Sequence, residues 1–157
     1  MKTAVVFYSL YENCACVAEK IKSQINADLI RLHVKNEKKR GKIAGFFWAF
    51  GVMASKKPQL LPYSFDPSAY DLIVIGSPVW AGSPSSPVKA FLSQTAIAGK
   101  KTAVFVCHSK SKGNALEEIK SLLAGNNLIA EADFTNPAKG GEETMQKITD
   151  WINKLKE

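Results

Sequence analysis

The stretch 71–92, DLIVIGSPVWAGSPSSPVKAFL, limits the possible folds more than any other part of the chain. Its apolar run at 72–75 has no polar residue to turn toward solvent, which predicts a strand buried on both faces, as in a parallel sheet. After Gly76 comes a loop, 77–85, made of Ser, Pro, Gly and one Trp. Ser86-Pro87 then favours the start of a helix, with Ser as N-cap and Pro as the first helical residue.

Strand and helix patterns alternate along the rest of the chain. Apolar or alternating runs predict strands at 3–8, 28–34, 71–76 and 101–107, and a last, short strand at 126–134. Apolar residues at helical spacing predict a helix after Asn13, one from 87, one with Leu116, Ile119, Leu122 and Leu123 on its inner face, and one at 142–156. This alternation implies an α/β fold with a parallel sheet covered on both faces. Residues 1–157 are expected to form a single domain of ordinary size.

Three loops follow predicted strands at their carboxyl ends. They are 9–13, 77–85 and 108–113. The carboxyl ends of parallel strands meet at one edge of the sheet, and ligands of open α/β folds bind there. The sequence therefore predicts a ligand site built from these three loops.

Composition and charge narrow the function classes. The formal net charge is +7, and part of the excess lies in a basic cluster at 35–42 and 56–57. A solvated surface is the preferred interpretation of this cluster, because no aromatic-interleaved nucleic-acid motif accompanies it. No apolar run reaches the length of a membrane span, and the amino terminus leads directly into a strand without a secretory signal. A cytoplasmic protein is expected.

Three cysteines, Cys14, Cys16 and Cys107, have neither CxxC nor zinc spacing, which agrees with a reducing compartment. Cys14 lies near the start of a predicted helix, where a thiol pKa is lowered and its reactivity raised. The preferred interpretation is that Cys14 and Cys16 fill space in the core or at the surface. No Ser-His-Asp set, metal cluster or carboxylate pair points to a catalytic residue.

The segment 36–57 begins basic and continues as an aromatic run, IAGFFWAFGVMA. A helix that packs its aromatic face on the sheet is preferred, because a proline-rich connection leads from it back into a core strand. A segment lying on a membrane surface is the alternative.

Two stretches make the chain resemble the flavodoxin family in its short-chain form. IGSPVWAGSPSSPVKAFL, at 75–92, is similar to the flavin-binding loop and following helix of that family, and GKKTAVFVCHS, at 99–109, to its fourth strand and second flavin loop. The resemblance spans essentially the whole chain. It implies a three-layer α-β-α sandwich with five parallel strands in the order 2-1-3-4-5 and FMN at the switch point of the sheet.

The resemblance also implies which residues surround FMN. The phosphate loop corresponds to Ser9, Leu10, Tyr11, Glu12, Asn13 and Cys14, and the ring loops correspond to Ser77, Pro78, Val79, Trp80, Ala81, Gly82, His108, Ser109 and Gly113. Trp80 falls where the family often places an aromatic residue on the flavin ring; the alternative is that it packs beneath the loop. No metal ligand is implied.

The phosphate loop departs from the family pattern Ser/Thr-x-Thr-Gly-x-Thr. Tyr11 and Cys14 replace two Thr hydroxyls, and Glu12 replaces the Gly. A carboxylate at ~4–6 Å from the phosphate opposes its binding by roughly 1–3 kcal/mol, and a Gly that permitted positive φ is lost. Backbone N–H groups at a helix start remain as donors.

Two functions of different classes follow. The first is an FMN-binding redox protein, either an electron carrier or an FMN-dependent oxidoreductase, whose redox partner protein is expected to have an acidic surface. The alternative is a flavodoxin-fold protein that binds FMN weakly or not at all and serves as a binding or regulatory module. A monomer or homodimer is expected, without specific nucleic-acid binding or membrane contact.

Overall fold

Five parallel strands form the centre of the computed structural model, which describes residues 1–35, 37 and 58–157. They are β1 (Thr3–Phe7), β2 (Asp28–Arg31), β3 (Leu72–Trp80), β5 (Lys101–His108) and β6 (Asn127–Thr135). The two-residue strand β4 (Ser83–Pro84) pairs antiparallel with β3. The sheet order is β2-β1-β3-β5-β6, so the predicted order 2-1-3-4-5 is confirmed once β4 is left out.

Helices cover both faces of this sheet. They are α1 (Asn13–Ile25), α2 (Ser86–Gln94), α3 (Ala115–Leu122) and α4 (Glu142–Lys154), with short 3-10 turns at Pro67–Ala69 and Pro137–Lys139. Side chains of α1 and α4 share one core cluster and those of α2 and α3 share the other. The predicted three-layer sandwich is therefore confirmed.

The apolar run in β3 serves both cores. Leu72 and Val74 join the cluster with α1 and α4, whereas Ile73 and Ile75 join the cluster with α2 and α3, and all four are fully buried. Because successive side chains of a strand point to opposite faces, a strand covered on both sides needs an uninterrupted apolar sequence. This is the physical basis of the strand prediction at 71–76.

Several predicted boundaries were wrong. Helix α1 is preceded by Glu12 as its N-cap residue, so Asn13 lies inside the helix, and α2 begins after Ser85 rather than after Ser86. Strand β2 ends at Arg31 instead of at 34. Leu122, predicted on the inner face of α3, is 47% exposed, because the helix ends there and Leu123 takes the buried position.

The last strand was predicted one residue too early: β6 has nine residues, Asn127–Thr135, and pairs with β5 along its whole length, with one irregularity after Thr102. The predictions for the segment 36–57 lie, apart from Glu37, outside the described residues. Among the residues that are described, no helix is both long enough and apolar enough to cross a membrane.

Candidate functional site

A tight β-hairpin occupies most of the region predicted as the loop 77–85. Strand β3 continues to Trp80, turns through Ala81 (φ 50°) and Gly82 (φ 77°), and returns as β4, with Val79 opposite Pro84. Two consecutive residues with positive φ are typical of a type I′ turn, whose twist matches that of paired strands. The prediction of a loop at 77–85 was therefore wrong for residues 77–80 and 83–84, which belong to β3 and β4.

The hairpin tip lies against the loop that follows β5. The Asn114 N–H donates to the Gly82 carbonyl at 2.8 Å. Gly113 has φ 51°, and a methyl group placed on its Cα would lie 2.5 Å from the Gly82 Cα. Backbone therefore meets backbone at this point, so the second and third predicted loops form one rim at the carboxyl edge of the sheet.

Trp80 is partly buried and has a fixed neighbour. Its ring meets the Tyr8 ring edge-on, with 5.6 Å between centroids and an angle of 86°. Tyr8 is fully buried at the end of β1, and its hydroxyl donates to Glu37 Oε1 at 3.0 Å. Burial raises the pKa of Tyr8 far above its ordinary value, and the Glu37 carboxylate adds to this effect. A neutral, anchored tyrosine thus orients Trp80 at the rim.

Ser77 holds the base of the hairpin. Its side chain is fully buried, and its hydroxyl oxygen accepts from the Ser85 N–H at 2.9 Å and donates to the Pro78 carbonyl at 2.9 Å. The bond from the Ser85 N–H joins the two ends of the region predicted as a loop. The side-chain hydroxyl therefore stabilises the hairpin and the start of α2.

Glu12 stands where the flavodoxin pattern has a Gly, and it adopts a left-handed backbone conformation. Its φ is 30° and its ψ is −7°. This conformation costs a non-Gly residue about 1–2 kcal/mol. Its carboxylate Oε1 lies 3.5 Å from Nη2 of Arg31, at the carboxyl end of β2. The turn geometry is thus kept without the Gly, at the cost of backbone strain.

Polar bonds around Glu12 fix the start of α1. The Ser9 hydroxyl oxygen accepts from the Ala15 N–H at 3.2 Å, and the Ser9 carbonyl accepts from Arg31 Nη2 at 2.7 Å. Asn13 does not cap the helix; its Oδ1 accepts from the Ala138 N–H at 3.0 Å and ties α1 to the 3-10 turn at Pro137–Lys139. Leu10 is buried and belongs to the core cluster that α2 and α3 share.

The cysteine of the phosphate loop faces the core. Cys14 is 1% exposed and Cys107 is 3% exposed, and both belong to the cluster formed with α1 and α4. Burial raises the pKa of Cys14 well above its ordinary value, and the neighbouring Cys107 thiol raises it further. Burial also raises the pKa of Cys16. These shifts oppose any activation by the helix terminus, which agrees with the space-filling interpretation.

His108 forms a polar cluster at the end of β5. Its side chain is 8% exposed, and Nε2 lies 2.9 Å from Oδ2 of Asp133 on β6. Lys112 Nζ lies 3.4 Å from the other carboxylate oxygen of Asp133. The hydrogen bond from His108, followed by that from Lys112, lowers the pKa of Asp133, and partial burial opposes this effect.

Solved structures with the same architecture were found, whereas no protein-family model and no curated protein matches the chain. A flavoprotein from Lactobacillus acidophilus NCFM, solved in complex with FMN, is 25% identical, with 96% of this chain and 97% of that chain covered at a TM-score of 0.71. This chain has the flavodoxin-like fold.

Two further structures share the fold. Oxidised flavodoxin 1 from Bacillus cereus is 17% identical, with 99% of this chain and 97% of that chain covered at a TM-score of 0.62. An NADH:FMN oxidoreductase in its apo form is 15% identical, with coverages of 99% and 90% and a TM-score of 0.59. The fold is therefore shared with a flavodoxin and with an NADH:FMN oxidoreductase.

The predicted site residues fall into three groups by burial. Four are buried and support the loops: Ser9, Leu10, Cys14 and Ser77. Six are partly buried: Asn13, Pro78, Val79, Trp80, Gly82 and His108. Five are exposed: Tyr11, Glu12, Ala81, Ser109 and Gly113. All fifteen lie at the carboxyl edge of the sheet, so the topology brings the three predicted segments to one place.

Arg31 and Asp133 also lie at this edge and were not predicted from the sequence. Arg31 ends β2 and Asp133 lies near the end of β6, beside strands whose loops had been predicted as part of the site. Both positions could have been predicted from the strand pattern, because the carboxyl ends of all parallel strands lie at one edge of the sheet. The pairings with Glu12 and His108 depend on side-chain placement, which strand patterns do not contain.

The Asp133 cluster predicts a pH-dependent contribution to stability. Asp133→Asn is expected to lower the free energy of unfolding by up to about 1 kcal/mol at pH 7, a value reduced by the partial exposure of the pair. A carboxyl whose pKa is lowered on folding stabilises the protein above its unfolded pKa, and this stabilisation is lost as pH falls through the folded pKa. The difference should therefore shrink between about pH 5 and pH 3 in urea unfolding.

The matched control for this titration is Asp150→Asn. Asp150 is exposed on α4 and accepts a bond from the uncharged Gln146 side chain at 2.7 Å. Asp150→Asn should lower the free energy of unfolding at pH 7 by less than Asp133→Asn does. A difference between wild type and Asp133→Asn that stays constant from pH 7 to pH 3 would contradict the proposed charge effect.

Proposed function

We propose that this flavodoxin-like protein binds FMN at the carboxyl edge of its sheet and uses the flavin ring for electron transfer. The observation that supports this most is the rim formed by the hairpin and the loop after β5, joined by the bond between Asn114 and Gly82. The rim presents Trp80 at the same edge as the start of α1. The site for the flavin ring and the site for the phosphate therefore lie at the same edge of the sheet, as the binding of one FMN molecule requires.

The ring side of the proposed site is preorganised. Trp80 lies on paired backbone, is held edge-on by Tyr8, and has the turn of Ala81 and Gly82 directly after it. The Pro78 carbonyl accepts from the Ser77 hydroxyl and the Ser85 N–H, and the Gly82 carbonyl accepts from the Asn114 N–H, so these backbone groups are already fixed in place. A rigid aromatic residue beside such groups lowers the entropy cost of binding a flat ring.

The electron-transfer role includes two alternatives that the site does not separate, a carrier and an FMN-dependent reductase. A flavodoxin and an NADH:FMN oxidoreductase share the fold. The chemistry in either case belongs to the flavin, and the protein contributes binding, orientation and electrostatic tuning. The formal net charge of +7 favours a redox partner with an acidic surface.

A second candidate function is a flavodoxin-fold binding module with little or no FMN. The observation that favours it is Glu12, whose carboxylate lies at the start of α1 where a phosphate dianion would bind. Purified protein distinguishes the two candidates. Flavin absorbance that survives gel filtration, or uptake of added FMN, supports the redox protein, and a colourless protein that takes up no FMN supports the module.

Trp80→Leu is expected to weaken FMN binding about tenfold, because an aromatic contact beyond simple area burial is worth roughly 0.5–1.5 kcal/mol. The measurement is quenching of flavin fluorescence on titration with apoprotein. Phe65→Leu is the matched control, since Phe65 is also partly buried but packs on Tyr70 and Phe91, away from the rim. Equal losses of affinity in the two variants would argue against a ring contact by Trp80.

A further inference from the structure

Arg31 places a guanidinium beside the proposed phosphate loop. Its Nη2 donates to the Ser9 carbonyl at 2.7 Å and lies 3.5 Å from Glu12 Oε1. The parallel register sets Arg31 opposite Phe7, two residues before Ser9. The side chain is 27% exposed, and its Nε is buried without an acceptor among residues 1–35, 37 and 58–157.

We propose that Arg31 is the cation that selects the phosphorylated flavin, and that the Glu12 carboxylate holds the guanidinium only until the phosphate binds. This inference rests on the proposed FMN function and deepens it. The phosphate would replace the Glu12 carboxylate as the partner of Arg31. Because riboflavin has no phosphate, the protein should prefer FMN over riboflavin.

The pair of Arg31 and Glu12 is suited to such an exchange. The Glu12 side chain is 64% exposed, and the separation of 3.5 Å is longer than a strong charge-assisted hydrogen bond. Exposed ion pairs of this kind contribute little, so that separating them opposes ligand binding only weakly. A phosphate dianion offers the guanidinium more charge and a geometry that matches its fork of donors.

Space is available for the side chains to move. A cavity of about 300 Å³ lies between the first turns of α1 and β2, and both Arg31 and Glu12 line it. The guanidinium is meanwhile anchored by the bond to the Ser9 carbonyl. Glu12 can therefore leave the guanidinium while Arg31 remains at the loop.

The proposal also accounts for the unusual phosphate loop. The hydroxyls that the family pattern places there are replaced by Tyr11, which is exposed, and by the buried thiol of Cys14. A charged donor from β2 compensates for neutral donors lost from the loop, because bonds between charged groups are about twice as strong as neutral ones. Phosphate recognition then becomes electrostatic and sensitive to salt.

The test compares the affinities for FMN and for riboflavin in wild type, Arg31→Gln and Glu12→Gln, by quenching of flavin fluorescence. Arg31→Gln should weaken FMN binding about tenfold or more, and Glu12→Gln should strengthen it about threefold or more, with riboflavin affinity unchanged in both. Lys22→Gln, which removes one positive charge in the last turn of α1, is the control and should leave both affinities unchanged. Unchanged riboflavin binding also shows that the variants are folded.

The outcomes separate the inference from the function beneath it. If wild type binds both flavins equally well, or if Arg31→Gln weakens both to the same extent, the redox function stands and Arg31 has no selective role. If wild type binds neither flavin, the proposed function fails and the inference fails with it. Arg31→Lys should restore part of the preference for FMN, because the charge is kept and the planar fork is lost.

Discussion

Gly113→Ala is expected to lower FMN affinity at least tenfold and to destabilise the fold by about 3 kcal/mol. Gly113 has φ 51°, a conformation that disfavours a side chain, and the added methyl would lie within 3 Å of three backbone atoms of Gly82. Backbone at the tip of a tight turn cannot yield as a flexible side chain does. The loop must therefore leave the hairpin, which opens the rim that carries Trp80.

Urea unfolding and FMN titration measure the two effects. Gly99→Ala is the matched control, because Gly99 also has a positive φ (66°) but its added methyl would meet no atom within 4 Å. The free energy of unfolding of the control should fall by only about 1–2 kcal/mol, the cost of a side chain at a positive φ, and its FMN affinity should not change. If both variants bind FMN like wild type, contact between the two loops is not needed for the cofactor.

The two halves of the proposed site are built by different means. The ring side depends on backbone, since the hairpin turn and the contact at Gly113 are set by positive φ angles. The phosphate side depends on side chains, since Glu12, Arg31 and Ser9 are joined by polar contacts between α1, β2 and the first loop. Substitutions on the ring side should affect FMN and riboflavin alike, whereas those on the phosphate side should affect FMN alone.

Local patterns were sufficient to predict the layers of this fold. Runs such as 72–75 have only one stable environment, a strand covered on both faces, and the alternation of strands and helices then determines a parallel sheet. The convergence of three loops followed from topology alone. The full order of the strands came from the resemblance to flavodoxins rather than from these patterns.

The hairpin was missed because its signal is short. Ala81-Gly82 is not one of the turn pairs that mark type I′ hairpins most clearly, and Pro78 and Pro84 made the region resemble an irregular loop. Pro is tolerated here because β4 is a two-residue arm that pairs on one side only with β3. Tertiary contact with Gly113 then supplies stability that the local sequence lacks.

The charge balance of the phosphate loop was missed for a different reason. Glu12 was predicted to repel a phosphate, and its left-handed conformation agrees with the loss of a Gly. The positive charge beside it lies 19 residues later, on another strand. Only the register that sets Arg31 opposite Phe7 brings the two charges together, so an estimate from the loop alone overstates the penalty.

Gly76→Ala is expected to destabilise the protein by about 3 kcal/mol, because the added methyl would lie 2.2 Å from the Phe105 ring. Phe105 is itself held by Phe134 and Trp151, with centroids 6.5 Å and 5.9 Å away, so the ring has little room to move. Gly76 ends the apolar run of β3 and lies next to Ser77 at the base of the hairpin. Strain there should therefore also weaken the FMN site.

A double-mutant cycle with Phe105→Leu tests this steric origin by urea unfolding. Phe105→Leu alone should destabilise the core, but it removes the ring atoms that the new methyl would meet. The double variant should therefore be more stable than the sum of the single effects predicts, by about 1–2 kcal/mol. Additive losses would instead place the cost of Gly76→Ala in the backbone of β3 and contradict the close approach of strand and ring.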